Sequence, residues 1–568
     1  MTEFFLTKEP RKSVELLLRD GRVITGKRGG TLEDFACVVQ KPDEPLIVGA
    51  ILDGNLRELT YPVWQDGYAT LLTMEDTDGA RIYRRSLVFL LEVAFRSCFP
   101  KGGLTIDHSV SSGGYYCQVN NIPNFGQADL DRIKAAMLEL VKQNVPFVRE
   151  TVPLDEAIAY FTTAGEEDKV RLLKYRQRKD LVLYRAGETR DYHHGYMVPS
   201  SGYLKWFDLY LLDDAFIIRF PRRHAPSEVL PMDSYPALLN AFKEYGDWLT
   251  TLGIHSVGAL NDAIQEGHID EVTLVSEALH EMQIAQIAGQ IYEARDRVGV
   301  ILIAGPSSSG KTTFSKRLGI QLLARGITPF ALEMDHFFID REKTPINPDG
   351  HRDYESLRAL DLGRLNRDLK GLMEGREVQL PRYDFISGLS LDGARVQLMK
   401  GDVIILEGIH GLNPGLLTDI DPATTFKIYV SCLTQLNLDR HNRISTTDTR
   451  MLRRILRDAR DRGYSATDTI RRWEAVRAGE KSHIFPYQEN ADVMFNSALA
   501  YELTTLKPLV EPLLRQVPFG TPEHIEAKRL LKFLEWFLPT GTDYVPDNSI
   551  LREFIGGSIL TNFELWTR

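Results

Sequence analysis

The stretch GPSSSGKTT, residues 305–313, sets Gly305, Gly310, Lys311 and Thr312 at the spacing G-x-x-x-x-G-K-[ST]. Residue types in that order can hold a polyphosphate. The glycines let backbone N–H groups approach phosphate oxygens. The lysine reaches the outer phosphates, and the hydroxyl after it can face Mg²⁺. The chemistry needs a strand before the motif and a helix after it, because the helix N-terminus adds partial positive charge. The apolar run VGVILIA precedes it, and KTTFSKRLGIQLLARG follows with helical period and Gly326 as its capping glycine. The candidate ATP-binding set is Gly305, Ser307, Ser308, Ser309, Gly310, Lys311, Thr312 and Thr313. The rival reading, a plain Ser/Gly-rich turn, does not explain both flanks. A cradle of this kind calls for a nucleoside triphosphate and does not by itself separate a kinase from an ATPase or a GTPase.

Two downstream carboxylates extend the site. ITPFALEMDHFFIDRE reads as an apolar strand ending on Asp335, and GDVIILEGIHGL as one ending on Glu407. Parallel sheets place ligands beyond the carboxyl ends of their strands. Asp335 there could take a proton from an attacking hydroxyl, hold Mg²⁺ through water, or simply cap the next segment. Glu407 reads as a metal-side carboxylate, or else as the partner of a nearby base. His410 reads as structural. In DTRMLRRILRDARDRG, residues 448–463, Arg450, Arg453, Arg454, Arg457 and Arg460 recur at three- and four-residue steps on a helix. So many guanidiniums need anions. The favoured reading is a lid that closes on ATP. The alternative is a solvated helix with Asp458 and Asp461 in exposed pairs of little worth.

These residues need a scaffold, and a chain of 568 residues is too long for one core. Residues 1–75 alternate short strands with turns marked by DG pairs at 20–21, 53–54 and 66–67, and TLEDFACVVQ reads as one helix with Thr31 as N-cap. Residues 76–225 mix helices and strands, 226–296 form a helical connector, 297–515 alternate strand and helix, and 516–568 are a helical appendage. Cys37, Cys98, Cys117 and Cys432 show no zinc-ligand spacing, which fits reduced thiols and a cytoplasmic protein. The N-terminus does not read as a secretory signal, and no apolar run is long enough to span a bilayer. The net charge of −10 argues against nucleic acid as a partner.

The motifs GPSSSGKTT, MDHFF, DYESLRALD, LPRYDF, VIILEGIHGL, DTRMLRRILRDARDRG and ENADVMF come in one order. On them, residues 297–515 resemble uridine–cytidine kinase, within the wider group that includes phosphoribulokinase. The resemblance implies Asp335 as the base that activates a nucleoside 5′-hydroxyl. It implies Thr312 and Glu407 on the Mg²⁺ side with Asp335 nearby. Glu355 falls at a ribose-binding position, Arg454 at a second ribose contact, Arg457 and Arg462 at lid arginines on the phosphates, and Tyr383 beside the pyrimidine. Three positions depart from the pattern. Gly388 stands where a base-reading His is usual, Glu355 is one methylene longer than the family's Asp, and Tyr464 replaces a lid Arg. Losing one hydrogen-bonding group from such a site can redirect its choice of acceptor.

The first half resembles the N-terminal part of threonyl-tRNA synthetase: a TGS-like domain over 1–75 and an editing-like domain over 76–225, on motifs such as GGYYCQV and LYRAGETRDYHHGYMVPSSG. The synthetase's H-S-x-x-x-H signature survives only at Ser86, with Arg85 and Phe89 or Leu90 in place of its histidines. His193 and Met197 stand at its Cys…His pair. With those partners gone, no metal is expected at His193 or His194. The half reads as a recruited binding or regulatory module, or as structural support.

The expected fold is thus an α/β P-loop kinase domain, a parallel sheet with helices on both faces, preceded by two α+β domains. The expected activity is transfer of the γ-phosphoryl group of ATP, with Mg²⁺, to the 5′-hydroxyl of a ribonucleoside in salvage. The catalytic set is Asp335, Lys311, Arg457 and Arg462. One alternative keeps the chemistry on a purine nucleoside or sugar phosphate; another is an RNA-associated, nucleotide-gated binding protein. The expected partner is a small nucleoside-like molecule, with homo-oligomerisation left open.

Overall fold

The computed structural model describes residues 11–563 apart from 111–112, 214, 234, 347–349 and 351. The start of the first domain, on which the absence of a secretory signal was read, and the last five residues of the tail lie outside the described residues. The strands Ser13–Leu18, Val23–Lys27, Ile47–Leu52, Asn55–Arg57 and Gly67–Thr73 form a five-stranded sheet backed by one helix, Leu32–Val39. That helix starts where its sequence says it should: Thr31 Oγ1 accepts from the Asp34 N–H, and the Asp34 carboxylate accepts from the Thr31 N–H. The DG pair at 53–54 makes a hairpin turn, whereas Gly67 opens a strand.

The helix Thr77–Cys98 buries its apolar residues, Ile82, Tyr83, Leu87–Leu91, Ala94 and Phe95 among them, beside the helix Gln127–Gln143 and the strand Gly103–Val110 of a four-stranded sheet, while Arg81 and Arg96 find carboxylate partners. Three helices follow, Pro236–Leu252, Val257–Gln265 and Ile269–Glu293.

The second half is built on β1 (Val300–Ala304), β2 (Pro329–Glu333), β3 (Val403–Glu407), β4 (Thr425–Ser431) and β5 (Val493–Asn496). Their order is β2-β3-β1-β4-β5, and every neighbouring pair is parallel. All five residues of β1 are buried, as a strand covered on both faces must be. Alternation splits them. Ile301 and Ile303 face one core with Phe314, Leu318 and Leu322 of α1 (Lys311–Ala324), while Val300 and Leu302 face another with Leu365, Leu369 and Leu372 of α2 (Leu362–Met373). Further on come α3 (Thr446–Asp461), α4 (Ala466–His483), α5 (Glu502–Arg515) and α6 (Pro522–Leu534).

The larger core does not stop at the edges of this sheet. It runs from Phe161 and Leu172 of the first half, through Ile284, Ile287 and Ile291 of the connector, to Trp536, Ile550, Leu551 and Phe554 of the tail. No helix among the described residues is long and apolar enough to cross a membrane.

Candidate active site

The turn between β1 and α1 has the geometry its glycines permit. A Cβ on Gly305 would lie 1.9 Å from the Val430 carbonyl oxygen, so only glycine lets β1 leave the sheet beside β4. Ser308 and Gly310 take positive φ, which turns the loop's backbone toward the N-terminus of α1. Lys311 Nζ donates to the Pro306 carbonyl at 3.3 Å. Burial pushes its pKa down, and the charges of Glu407 and Glu553 oppose that.

Thr312 Oγ1 donates to Glu407 Oε1 at 3.0 Å. Burial raises the Glu407 carboxyl to about 7; Lys311 opposes the shift, and Glu553 and Glu333 add to it. The cleft around Asp335 strips water from its carboxyl and raises it, and Glu333 raises it further, against Lys311, His336 and Arg462; the residue nonetheless keeps an open face to solvent. Thr312 and Glu407 set a hydroxyl and a carboxylate side by side, oxygen donors of the kind a hard divalent metal takes. The structure corrects one element here. β2 ends at Glu333, and Asp335 lies in the one-turn helix Met334–Phe337. The sequence reading missed Glu333, whose signal was its parallel register opposite Glu407.

On the acceptor side, Glu355 is half-buried and raised to about 7 by burial and Glu480, with Arg454 opposing. The Tyr383 ring is buried on the hairpin strand Val378–Asp384, 5.5 Å from Phe338 and 5.1 Å from Phe385. His336, Arg382, Tyr383, Phe385 and Leu391 are among the residues that line a recess of about 450 Å³. Gly388 has φ +74°, and a Cβ there would lie 2.7 Å from Arg341 Nε. The space that a side chain at 388 would use is therefore filled by Arg341, whose Nη2 donates to the Phe385 carbonyl at 2.5 Å.

The arginine helix needs a larger correction, since α3 is neither a free lid nor a solvated helix. Arg450 is 1% exposed and Arg453 0%. Arg450 pairs with Glu480 of α4 and donates to the Ser307 carbonyl at 2.9 Å. Arg453 donates to Glu502 Oε2 at 2.6 Å and to the Ser497 carbonyl at 2.8 Å. These two hold the helix in place. Arg454, Arg457 and Arg462 instead gather on Asp458, with nitrogens 3.2, 3.6 and 3.3 Å from its oxygens. Arg454 Nη1 also donates to Ser307 Oγ at 2.7 Å, which brings this group to the phosphate loop. His410 is buried, and burial lowers its pKa to about 4.

His193 lies in a buried polar cluster formed by residues outside the synthetase signature. Its Nε2 lies 3.5 Å from Glu92 Oε2, and Asp191 completes a buried trio of ligand-type groups. Lys169 supplies positive charge to this cluster. Its ammonium binds Asp191, lies 2.7 Å from Glu166 Oε2 and 3.0 Å from His441 Nδ1, and so joins the first half to the β4–α3 loop. His194 points elsewhere, its ring 6.5 Å from that of Phe533.

Comparison with known proteins separates the two halves. Residues 300–503 match the Phosphoribulokinase / Uridine kinase family. The chain therefore carries a P-loop kinase domain, and the family's chemistry uses ATP with a divalent metal. The match covers about a third of the chain. The N-terminal region is similar to threonine–tRNA ligase from Azoarcus sp. (strain BH72), 32% identical over 200 residues, which are 35% of this chain and 31% of the ligase. The chain thus spans about a third of the length of the ligases it matches. Among solved structures, the "Possible Uridine Kinase" from Bacillus stearothermophilus is 22% identical, over 35% of this chain and 89% of its own, at a TM-score of 0.24. D-glycerate 3-kinase from Cryptococcus neoformans var. grubii is 15% identical, over 48% and 87%, at 0.22. At such scores neither structure bears on what the kinase domain phosphorylates.

Proposed function

We propose that the kinase domain transfers the γ-phosphoryl group of ATP, with Mg²⁺, to the 5′-hydroxyl of a ribonucleoside. The observation that carries the reading is the aromatic recess at Tyr383, Phe385 and His336, one residue along the chain from Asp335. An aromatic face can take a nucleobase. Glu355 and Arg454, which interact electrostatically, offer an acceptor and donors for ribose hydroxyls.

The residues divide the work simply. The loop amides and Lys311 hold the phosphates. Thr312 and Glu407, with Glu333 and Asp335 nearby, would hold Mg²⁺, which supplies charge neutralisation at the phosphates when bound. Asp335 accepts the proton of the attacking hydroxyl, and its raised pKa makes it a better base than an ordinary carboxylate. Arg454, Arg457 and Arg462 offset charge on the transferring group. Catalysis of this kind is positioning and electrostatics.

The Arg341 guanidinium packed against Gly388 favours a second reading, an acceptor that carries its own anion, such as a sugar phosphate. ADP release measured over a panel of nucleosides, sugar phosphates and glycerate separates the two. Turnover with uridine or another ribonucleoside is expected. Turnover confined to anionic acceptors transfers the assignment to the second reading, and turnover with none removes both.

A further inference from the structure

The first turn of α1 already holds an anion, and that anion belongs to this chain. Thr313 donates its backbone N–H at 3.3 Å and its hydroxyl at 3.0 Å to Glu553 Oε2. First-turn N–H groups of this helix are the donors that a phosphate loop offers to a nucleotide. Glu553 sits on the short helix Arg552–Ile555, 240 residues downstream. Its side chain is 16% exposed, with Arg457 Nη1 4.0 Å away.

The tail around it is firmly packed. Arg460 Nη2 donates to the Glu553 carbonyl at 2.9 Å, and Lys316 Nζ of α1 donates to the Leu560 carbonyl at 2.7 Å. Ile550 lies so close over Gly310 that a Cβ on the glycine would be 2.4 Å from Ile550 Cγ2. Ser549 and Tyr501 both donate to Glu277 Oε1, which ties this segment to the connector helix Ile269–Glu293. The carboxylate is therefore held at the cradle by several independent contacts.

A polyphosphate and the Glu553 carboxylate would need the same donors, and two anions side by side repel. We propose that the C-terminal tail is an in-chain competitor for the phosphate cradle: Glu553 occupies the Thr313 donors, and a nucleotide seats its phosphates only after that carboxylate withdraws. The inference rests on the reading of the loop as a nucleotide site. It adds that elements holding the tail, the connector helix above all, bias the cradle between tail and nucleotide.

Calorimetric binding of ATP, inorganic pyrophosphate and adenosine to the full chain tests this, in wild type, Glu553→Gln and Glu553→Ala. ATP and pyrophosphate are expected to bind both variants about 3- to 30-fold more tightly. Adenosine, which has no phosphate, should bind all three proteins alike. If Glu553→Ala unfolds, Glu553→Gln, which keeps size and shape, carries the comparison. ATP and pyrophosphate affinities within two-fold of wild type in the folded variants overturn the proposal and leave the nucleotide site standing. An equal shift for adenosine overturns it as well, since the effect is then not on phosphate. If no protein binds ATP, the nucleotide-site reading falls and the proposal with it.

Discussion

Thr312 Oγ1 and Glu407 Oε1 are joined by a hydrogen bond of 3.0 Å that links the first turn of α1 to the end of β3. The pair offers a hydroxyl and a carboxylate from two elements to one divalent cation. Glu407→Gln keeps an acceptor for Thr312 and removes the charge. Half-saturating Mg²⁺ should rise roughly 10- to 100-fold, read as ADP release against Mg²⁺ concentration. An unchanged Mg²⁺ dependence would remove Glu407 from the metal side.

The same carboxylate makes the site sensitive to pH. Glu407 is raised to about 7, so in the metal-free protein it takes up a proton as pH falls through neutrality. Protons then compete with Mg²⁺, and half-saturating Mg²⁺ should climb between about pH 8 and pH 6. The stability term has the opposite sense. A carboxyl raised on folding costs nothing while it stays neutral in both states. It costs on the order of 1–3 kcal/mol once ionised, a cost that grows from its ordinary value of 4.5 up to about 7. Without metal, the Tm of wild type should therefore drop relative to Glu407→Gln across that window and recover with Mg²⁺. Parallel Tm curves for the two proteins would refute this.

Asp335 lies beyond β2 in solvent contact, with a raised carboxyl and no hydrogen bond that a structural role would require among the described residues. Asp335→Asn should cut kcat by about 10²–10⁴ while ATP affinity stays within two-fold. Undiminished turnover would end its assignment as the base.

The arginines of α3 and Arg462 at its C-cap should divide cleanly between stability and rate. Arg453→Ala leaves Glu502 in the core without its counter-charge, a loss of about 3–5 kcal/mol in thermal or urea unfolding. Arg462, whose side chain is 49% exposed, should leave stability within ~0.5 kcal/mol of wild type on replacement by Ala and lower kcat instead. A large Tm loss in Arg462→Ala would make it a structural residue.

What the sequence made legible is what local physics decides. β1 is a run of buried apolar residues, the Gly-rich turn takes the positive φ that Gly310 allows, and Thr31 and Asp34 cap their helix at three residues' distance. What it hid depends on partners brought from far away. Arg450 and Arg453 look like a basic lid until Glu480 and Glu502 arrive from later helices. Glu333 has no meaning until the register sets it opposite Glu407. Arg341 claims the space at Gly388 from the far side of a hairpin, and Glu553 reaches Thr313 across 240 residues. Side-chain type and spacing carry no trace of such pairings.

Lys169 gives the clearest case of one charge on which two halves depend. Its ammonium meets Asp191 and Glu166 of the first half and His441 of the kinase domain, and it is 1% exposed. Burial and Asp191 push the Glu92 carboxyl up, against the charges of Lys169 and Arg96. Lys169→Met keeps much of the stem's volume and removes the ammonium, which leaves Glu166 with Arg96 and Asp191 with His441 as their remaining partners. The expected loss is about 3–5 kcal/mol. Because Asp168 also grips Arg440 at this boundary, the loss should fall on the contact between the halves rather than on either core. Calorimetry should then show the unfolding transition of the full chain broaden or split, with the kinase domain's ligand-stabilised part recognisable by its shift with ATP. Lys169→Met combined with Asp191→Asn should regain part of the loss, since it removes an orphaned charge together with its partner. A wild-type transition in Lys169→Met, at unchanged Tm, would mean that the halves are held together by the apolar core alone.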